Sequence, residues 1–174
     1  MASRILRTRL IMLTLIIAIL ALFGITLSCG SFSPAKAPDF TLPTMAGASI
    51  TLSELEGTPV VINFWATWCT YCVAEMNYFD TIAREREGEI KVIAINVGDS
   101  VSKVQQFFGA YEPTMIVALD GNGAVFEDYC KHFSNPRFYI PFTLFVDIEG
   151  IVRQVNIGAF QSEADLRNTL DSVF

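Results

Sequence analysis

Histidine and cysteine are scarce in this chain, with one histidine and four cysteines among 174 residues. Cys69 and Cys72 form a Cys-X-X-Cys pair, and the second such pair that a paired zinc module would need is absent. Positive charge is short as well. Three of the 12 basic residues are Arg4, Arg7 and Arg9, which leaves nine against 18 acidic residues beyond Ser28, a net of −9. A surface of that sign repels phosphate backbones, which argues against nucleic acid as a partner. No internal repeat or low-complexity tract occurs, so 174 residues imply one domain with an extra segment at an end.

The extra segment stands at the start. Arg4, Arg7 and Arg9 lead into an uncharged run from Leu10 to Ser28, mostly Leu, Ile and Ala and without a polar face. A basic start before such a run is a secretory signal or a membrane anchor, with the arginines left on the cytoplasmic side. Residues 1–29 are therefore expected to be a signal sequence or anchor, with everything beyond Ser28 outside the cytoplasmic membrane. The run ends Thr26-Leu27-Ser28-Cys29-Gly30, which resembles a bacterial lipoprotein signal and implies lipidation at Cys29. Thr26 stands where that motif prefers leucine. Left uncut, the run is long enough to span a bilayer, for which about 20 residues suffice. Residues 30–37 (GSFSPAKA) read as a flexible tether, and residues 38–174 as the folded domain.

Within that domain, Asp39–Leu42 and Ser49–Leu52 alternate around Gly47 and predict a hairpin, followed by a capped turn at Ser53. Val60–Trp65 is a continuous apolar run of the kind buried on both faces of a sheet. Tyr71–Glu87 has helical spacing, with Met76, Phe79, Ile82 and Ala83 on one stripe. Ile90–Val97 and Thr114–Leu119 read as strands and Val101–Phe108 as a helix, whereas Ala124–Arg137 looks irregular. Phe142–Val146 and Ile151–Ile157 flank a turn at residues 147–150, and Ser162–Val173 closes with a helix. Strands alternating with helices before a hairpin give an α/β fold: a mixed sheet covered on both faces.

The segment WATWCTYC, together with Pro141 just before FTLFVD, resembles the thioredoxin fold. The stretch APDFTLPTMAGASITLSELEGTPVVINFWATWC is similar to the TlpA/ResA-type branch, the membrane-tethered thiol-disulfide oxidoreductases. The likeness runs from Ala37 to the C-terminus and is most specific from Pro38 to Glu75. It implies a thioredoxin-like three-layer fold with a mixed central sheet, an N-terminal β-hairpin extension, a cis bond before Pro141 and a redox-active Cys69–Cys72 disulfide. No cofactor is implied. The partners implied are protein disulfide substrates, with apocytochrome c cysteines among them, and a membrane-embedded thiol reductant that recharges the pair.

The residues support that reading on their own terms. A Cys-X-X-Cys at a strand-to-helix junction puts Cys69 at a helix N-terminus, where free amides and the dipole favour a thiolate. A free cysteine with a pKa of about 8.5 is only a few per cent thiolate at neutral pH, and lowering it to about 7 gives roughly half. Cys72 lies one turn inward, within reach of a mixed disulfide held on Cys69. Three other readings stand beside this one. The pair is a structural staple, although so short a ring closes little chain entropy. It joins Cys130 and His132 as a copper- or zinc-binding set in a metallochaperone-like lipoprotein. Or it serves a peroxiredoxin-like peroxidase, whose threonine would stand three positions before the cysteine, whereas Thr67 stands two before Cys69.

Further site residues follow from the resemblance. Pro141 is expected to turn the Ile140 backbone toward the cysteines and offer it to an extended substrate. Glu75, three residues after Cys72 on one helical face, is the candidate proton relay for the Cys72 thiol, set against an ordinary solvated glutamate. Trp68, Thr70, Tyr71 and Ile140 are the candidate substrate-binding residues. Several positions depart from the family pattern. Asn63 replaces a buried thioredoxin aspartate and reads as a hydrogen-bonded core amide. Tyr71 replaces a frequent proline, Tyr139 a frequent glycine and Phe142 a frequent threonine. Cys130 is the odd thiol, expected to be inert and buried rather than a third redox thiol or ligand, and His132 a surface or partly packed imidazole.

Overall fold

The computed structural model describes residues 34–174 together with Arg9 and Met12. The chain divides into two units, Met1–Ser33 and Pro34–Phe174. The rest of the leader and Cys29, the expected lipidation site, lie outside the described residues. Among the described residues no helix is long and apolar enough to cross a membrane.

In the second unit, a six-stranded sheet runs in the order β1-β8-β7-β4-β5-β6. Its strands are β1 (Ala35–Lys36), β4 (Val60–Trp65), β5 (Lys91–Val97), β6 (Ile116–Asp120), β7 (Phe142–Val146) and β8 (Ile151–Ile157). β4, β5 and β6 are parallel, while β7 pairs antiparallel with β4, and β8 with β7. A separate hairpin, β2 (Thr41–Pro43) with β3 (Ser49–Thr51), meets the β6 edge where Thr44 bridges Ala118. This is the mixed sheet and hairpin extension expected from the sequence.

β4 lies at the centre, which explains its unbroken apolar run: both of its faces are buried. Strand alternation sends Val61, Asn63 and Trp65 to one side and Val60, Ile62 and Phe64 to the other. On the first side pack α1 (Thr70–Glu85), α2 (Val101–Phe108) and α4 (Glu163–Val173), through Phe79, Ile82, Val104, Leu166 and Leu170. Helices that follow β4 and β5 share this face because both crossovers between parallel strands are right-handed. The hairpin and α3 (Ala124–His132) cover the second side through Phe40, Leu42, Phe126 and Tyr129. Three layers result.

Two findings depart from the sequence reading. Ala124–His132 is a helix where irregular chain was expected; Phe126, Tyr129 and Cys130 form its buried stripe, and Asp120 accepts the Phe126 N–H at 2.8 Å. The tether expected over residues 30–37 has ordered structure at its end. Ala35 and Lys36 pair with Val152 and Ile151, Lys36 Nζ donates to the Glu149 carbonyl at 2.9 Å, and Ala37 N–H donates to Gly150. A two-residue strand covers the otherwise open β8 edge.

Candidate active site

Three residues, Ala66 to Trp68, carry the chain from the C-terminal end of β4 to the first cysteine, and an acid at the end of β5 pins them. Thr67 N–H donates to Asp99 Oδ2 at 2.8 Å, which also accepts from Asn96 Nδ2 at 3.1 Å, while Oδ1 accepts from Lys103 Nζ at 2.6 Å. Burial pushes the Asp99 carboxyl up, but these donors prevail and hold it down at about 2. Asp99 is thus an ionised clamp on the loop. Sequence reasoning missed it; an acid two residues after a buried strand was the available signal.

Cys69 is the N-cap of α1, and its Sγ accepts the Cys72 N–H at 3.2 Å. Sulfur here does what a serine or aspartate oxygen does at other helix starts. The two cysteines form a disulfide with their Cα atoms 5.3 Å apart. Both are buried, Cys72 completely.

One turn along α1 lies Glu75, only 1% exposed. Its Oε2 accepts the Phe160 N–H at 2.8 Å and its Oε1 accepts from Asn63 Nδ2 at 3.3 Å. Asn63 Nδ2 also donates to Thr143 Oγ1 at 3.0 Å, while Asn63 Oδ1 has no hydrogen-bond partner among the described residues. Burial pushes the Glu75 carboxyl up to about 7 against the opposing pull of Phe160 and Asn63. The ordinary solvated glutamate is therefore set aside. Asn63 is the core amide expected of it. Thr143 and the Phe160 amide were not anticipated, though a lone threonine inside the apolar run FTLFV was a visible clue.

The Ile140–Pro141 bond is cis, and the Ile140 carbonyl oxygen lies 3.8 Å from Cys69 Sγ. Gly158, at φ +103°, donates its N–H to the Pro141 carbonyl at 2.8 Å. A cleft of about 330 Å³ opens beside this loop, lined by Tyr71, Tyr139, Ile140, Pro141, Ile157 and Gly158 among others. Trp68 is 67% and Tyr71 74% exposed, and Thr70 is exposed as well. Exposed aromatic rings beside a redox pair form a surface that can hold an apolar chain segment. Asn135, fully buried, fixes this rim: its Oδ1 accepts Tyr139 N–H at 3.1 Å and its Nδ2 donates to Tyr139 O at 2.8 Å.

Cys130 and His132 are not part of this arrangement. Cys130 packs with α3 on the opposite face of the sheet from Cys69 and Cys72, and burial pushes its thiol up to about 12. His132 is exposed, with Nδ1 2.9 Å from the Asp128 carbonyl oxygen. The copper or zinc set drawn from Cys69, Cys72, Cys130 and His132 is not assembled, because the sheet stands between its halves. Among the described residues no group of three or more histidine, cysteine or acidic side chains is placed to hold a metal.

Comparison with known proteins agrees with this geometry. The Redoxin family model matches residues 33–171. The thiol-disulfide oxidoreductase ResA of Geobacillus kaustophilus is 30% identical over 95% of this chain and 96% of its own. The thioredoxin-like protein YneN of Bacillus subtilis is 30% identical over 78% of this chain and 77% of its own. Among solved structures, the pneumococcal exposed lipoprotein thioredoxin of Streptococcus pneumoniae superposes with a TM-score of 0.66 at 25% identity, covering 78% of this chain and 99% of that one. The chain belongs to the Redoxin family and is a thiol-disulfide oxidoreductase of the thioredoxin-like TlpA/ResA type.

Proposed function

We propose that this oxidoreductase works on the outer face of the cytoplasmic membrane as a reductant of protein disulfides. In the reduced protein the Cys69 thiolate attacks one sulfur of a substrate disulfide. That S–S bond breaks, the far sulfur leaves as a thiolate and takes up a proton, and Cys69 is held in a mixed disulfide. Cys72 then passes its proton to Glu75 and attacks Cys69 Sγ, which frees the second substrate thiolate and closes the Cys69–Cys72 bond. Two electrons have moved to the substrate, and a membrane-embedded thiol reductant returns them to the pair.

The observation that carries this reading is the placement of Cys69 as N-cap of α1, its sulfur already accepting the Cys72 N–H, with the buried Glu75 one turn below. A free amide and the positive end of a helix stabilise a thiolate. A carboxyl at about 7 takes and returns a proton near neutrality. An extended substrate segment pairs with the Ile140 backbone between Trp68, Thr70 and Tyr71, and apocytochrome c cysteines suit such a cleft. The basic-then-apolar leader ending at Cys29 supports tethering to the membrane by lipid or by an uncut anchor. The pneumococcal relative named an exposed lipoprotein supports the same setting.

Insulin-disulfide reduction with dithiothreitol as electron source tests the scheme. Cys69→Ala should abolish the catalysed rate, and Cys72→Ala should stall as a mixed disulfide visible by mass spectrometry. Activity of Cys69→Ala equal to the parent contradicts it.

A further inference from the structure

The hydrogen bonds around Glu75 oblige its proton to sit on one particular oxygen. Phe160 N–H can only donate, so Oε2 must accept whether the carboxyl is charged or neutral. The proton is therefore carried on Oε1, the oxygen that faces Asn63. There the Asn63 amide presents Nδ2, also a donor only, at 3.3 Å. Two donors cannot share that contact. Asn63 Oδ1, the acceptor that would satisfy a protonated Oε1, is buried and has no hydrogen-bond partner among the described residues. A half-turn of the amide exchanges the two atoms. Thr143 Oγ1, 3.0 Å from Nδ2, belongs to a hydroxyl that both donates and accepts, so it follows the amide in either orientation.

We propose that Asn63 and Thr143 are positioning residues for the proton step: the Asn63 amide turns over as Glu75 gains or loses its proton, keeping Oε1 hydrogen-bonded in both charge states. The arrangement in hand, with Nδ2 toward Oε1, is the one that fits ionised Glu75. An amide in this position accomplishes what a second carboxylate could not, because it adds no like charge beside Glu75. The inference deepens the reading of Glu75 as proton carrier for Cys72 and rests on it.

The surroundings leave the amide as the adjustable element. β4 presents Asn63 and β7 presents Thr143, neither of which ionises, and the segment before α4 presents the Phe160 N–H. On α1 the titratable residues one turn away are Tyr71, Cys72 and Tyr78, of which Cys72 alone is fully buried. Burial drives the Glu75 carboxyl upward, and only hydrogen bonds from Phe160 and Asn63 oppose it.

The test uses the isotope-labelled, oxidised full chain in detergent micelles, followed by NMR from pH 5 to 9. The Asn63 Nδ2 signals should shift with the same midpoint as the Glu75 carboxyl carbon, and their cross-peaks to the Thr143 side chain should be lost below it. Asn63→Leu, close in size, removes a charge-assisted bond from the ionised state and a weaker neutral one from the protonated state. It should raise the Glu75 midpoint by about one pH unit. Asn63 signals that stay fixed while Glu75 titrates overturn the proposal, as does a Glu75 that never titrates in this range. Alkylation of Cys72 in the reduced Cys69→Ala chain is scored separately. Should its pH profile ignore Glu75 while the Asn63 amide still turns, the proton-carrier role fails and the coupled amide stands.

Discussion

Glu75 carries the sharpest consequence at the scale of the residue. Its folded-state carboxyl sits near 7, above the unfolded value of 4.5. Between those two values the native state holds a proton that the unfolded chain has released, so stability falls as pH rises from about 4.5 and levels off above about 7. A shift of that size corresponds to roughly 3 kcal/mol at pH 8. Glu75→Gln keeps an acceptor for Phe160 and, once the Asn63 amide turns, offers its NH₂ to Asn63 Oδ1. Thermal melts should show it more stable than the parent at pH 8, about equal at pH 4.5, and slower in closing the disulfide. Equal melting differences at both pH values contradict the burial of a titrating carboxyl. The motif itself was legible: Cys69, Cys72 and Pro141 stand where spacing and resemblance put them. Thr143 and the Phe160 amide were not, since Thr143 reaches Asn63 from 80 positions away and Phe160 reaches Glu75 from 85, and only the folded sheet brings them together.

Secondary-structure elements matter here as supports for the cysteine loop. Asp99, at the end of β5, holds Thr67 two residues before Cys69, with Lys103 from α2 closing the clamp. Asp99→Ala strands the half-buried Thr67 N–H and should cost about 2 kcal/mol by denaturant titration. It should also slow insulin reduction, because the loop that sets Cys69 at the helix start loses its anchor. A Trp68 fluorescence and an activity identical to the parent would show the clamp to be idle. Long periodic elements were readable: β4 from its unbroken apolar run, and α1 from its 3.6-residue stripe, to within two residues at either end. α3 was not, because the Gly-Asn-Gly run before it reads as loop, and Asp120 fixes its first turn only after β6 has formed.

At the scale of the whole chain, the oxidoreductase unit is the second of two and runs from Pro34 to Phe174. A chain starting there should melt like the full protein and retain insulin reduction. Starting at Pro38 instead removes β1 with its Lys36 contacts and uncovers the β8 edge. The melting temperature should then fall by several degrees, since about 1 kcal/mol shifts a domain of this size by roughly 3 °C. Equal melting of the two truncations would return residues 35–37 to the tether. Their pairing was hidden in the sequence because two residues carry no periodicity, and the partner strand lies more than a hundred positions away.

Whether electrons leave through Cys69 toward substrate is decided most directly by the reduction potential of the Cys69–Cys72 couple, measured at pH 7 against defined dithiothreitol buffers. A disulfide reductant requires a value near or below that of thioredoxin, about −270 mV. A value near −120 mV, that of a strong periplasmic oxidant, would contradict the account.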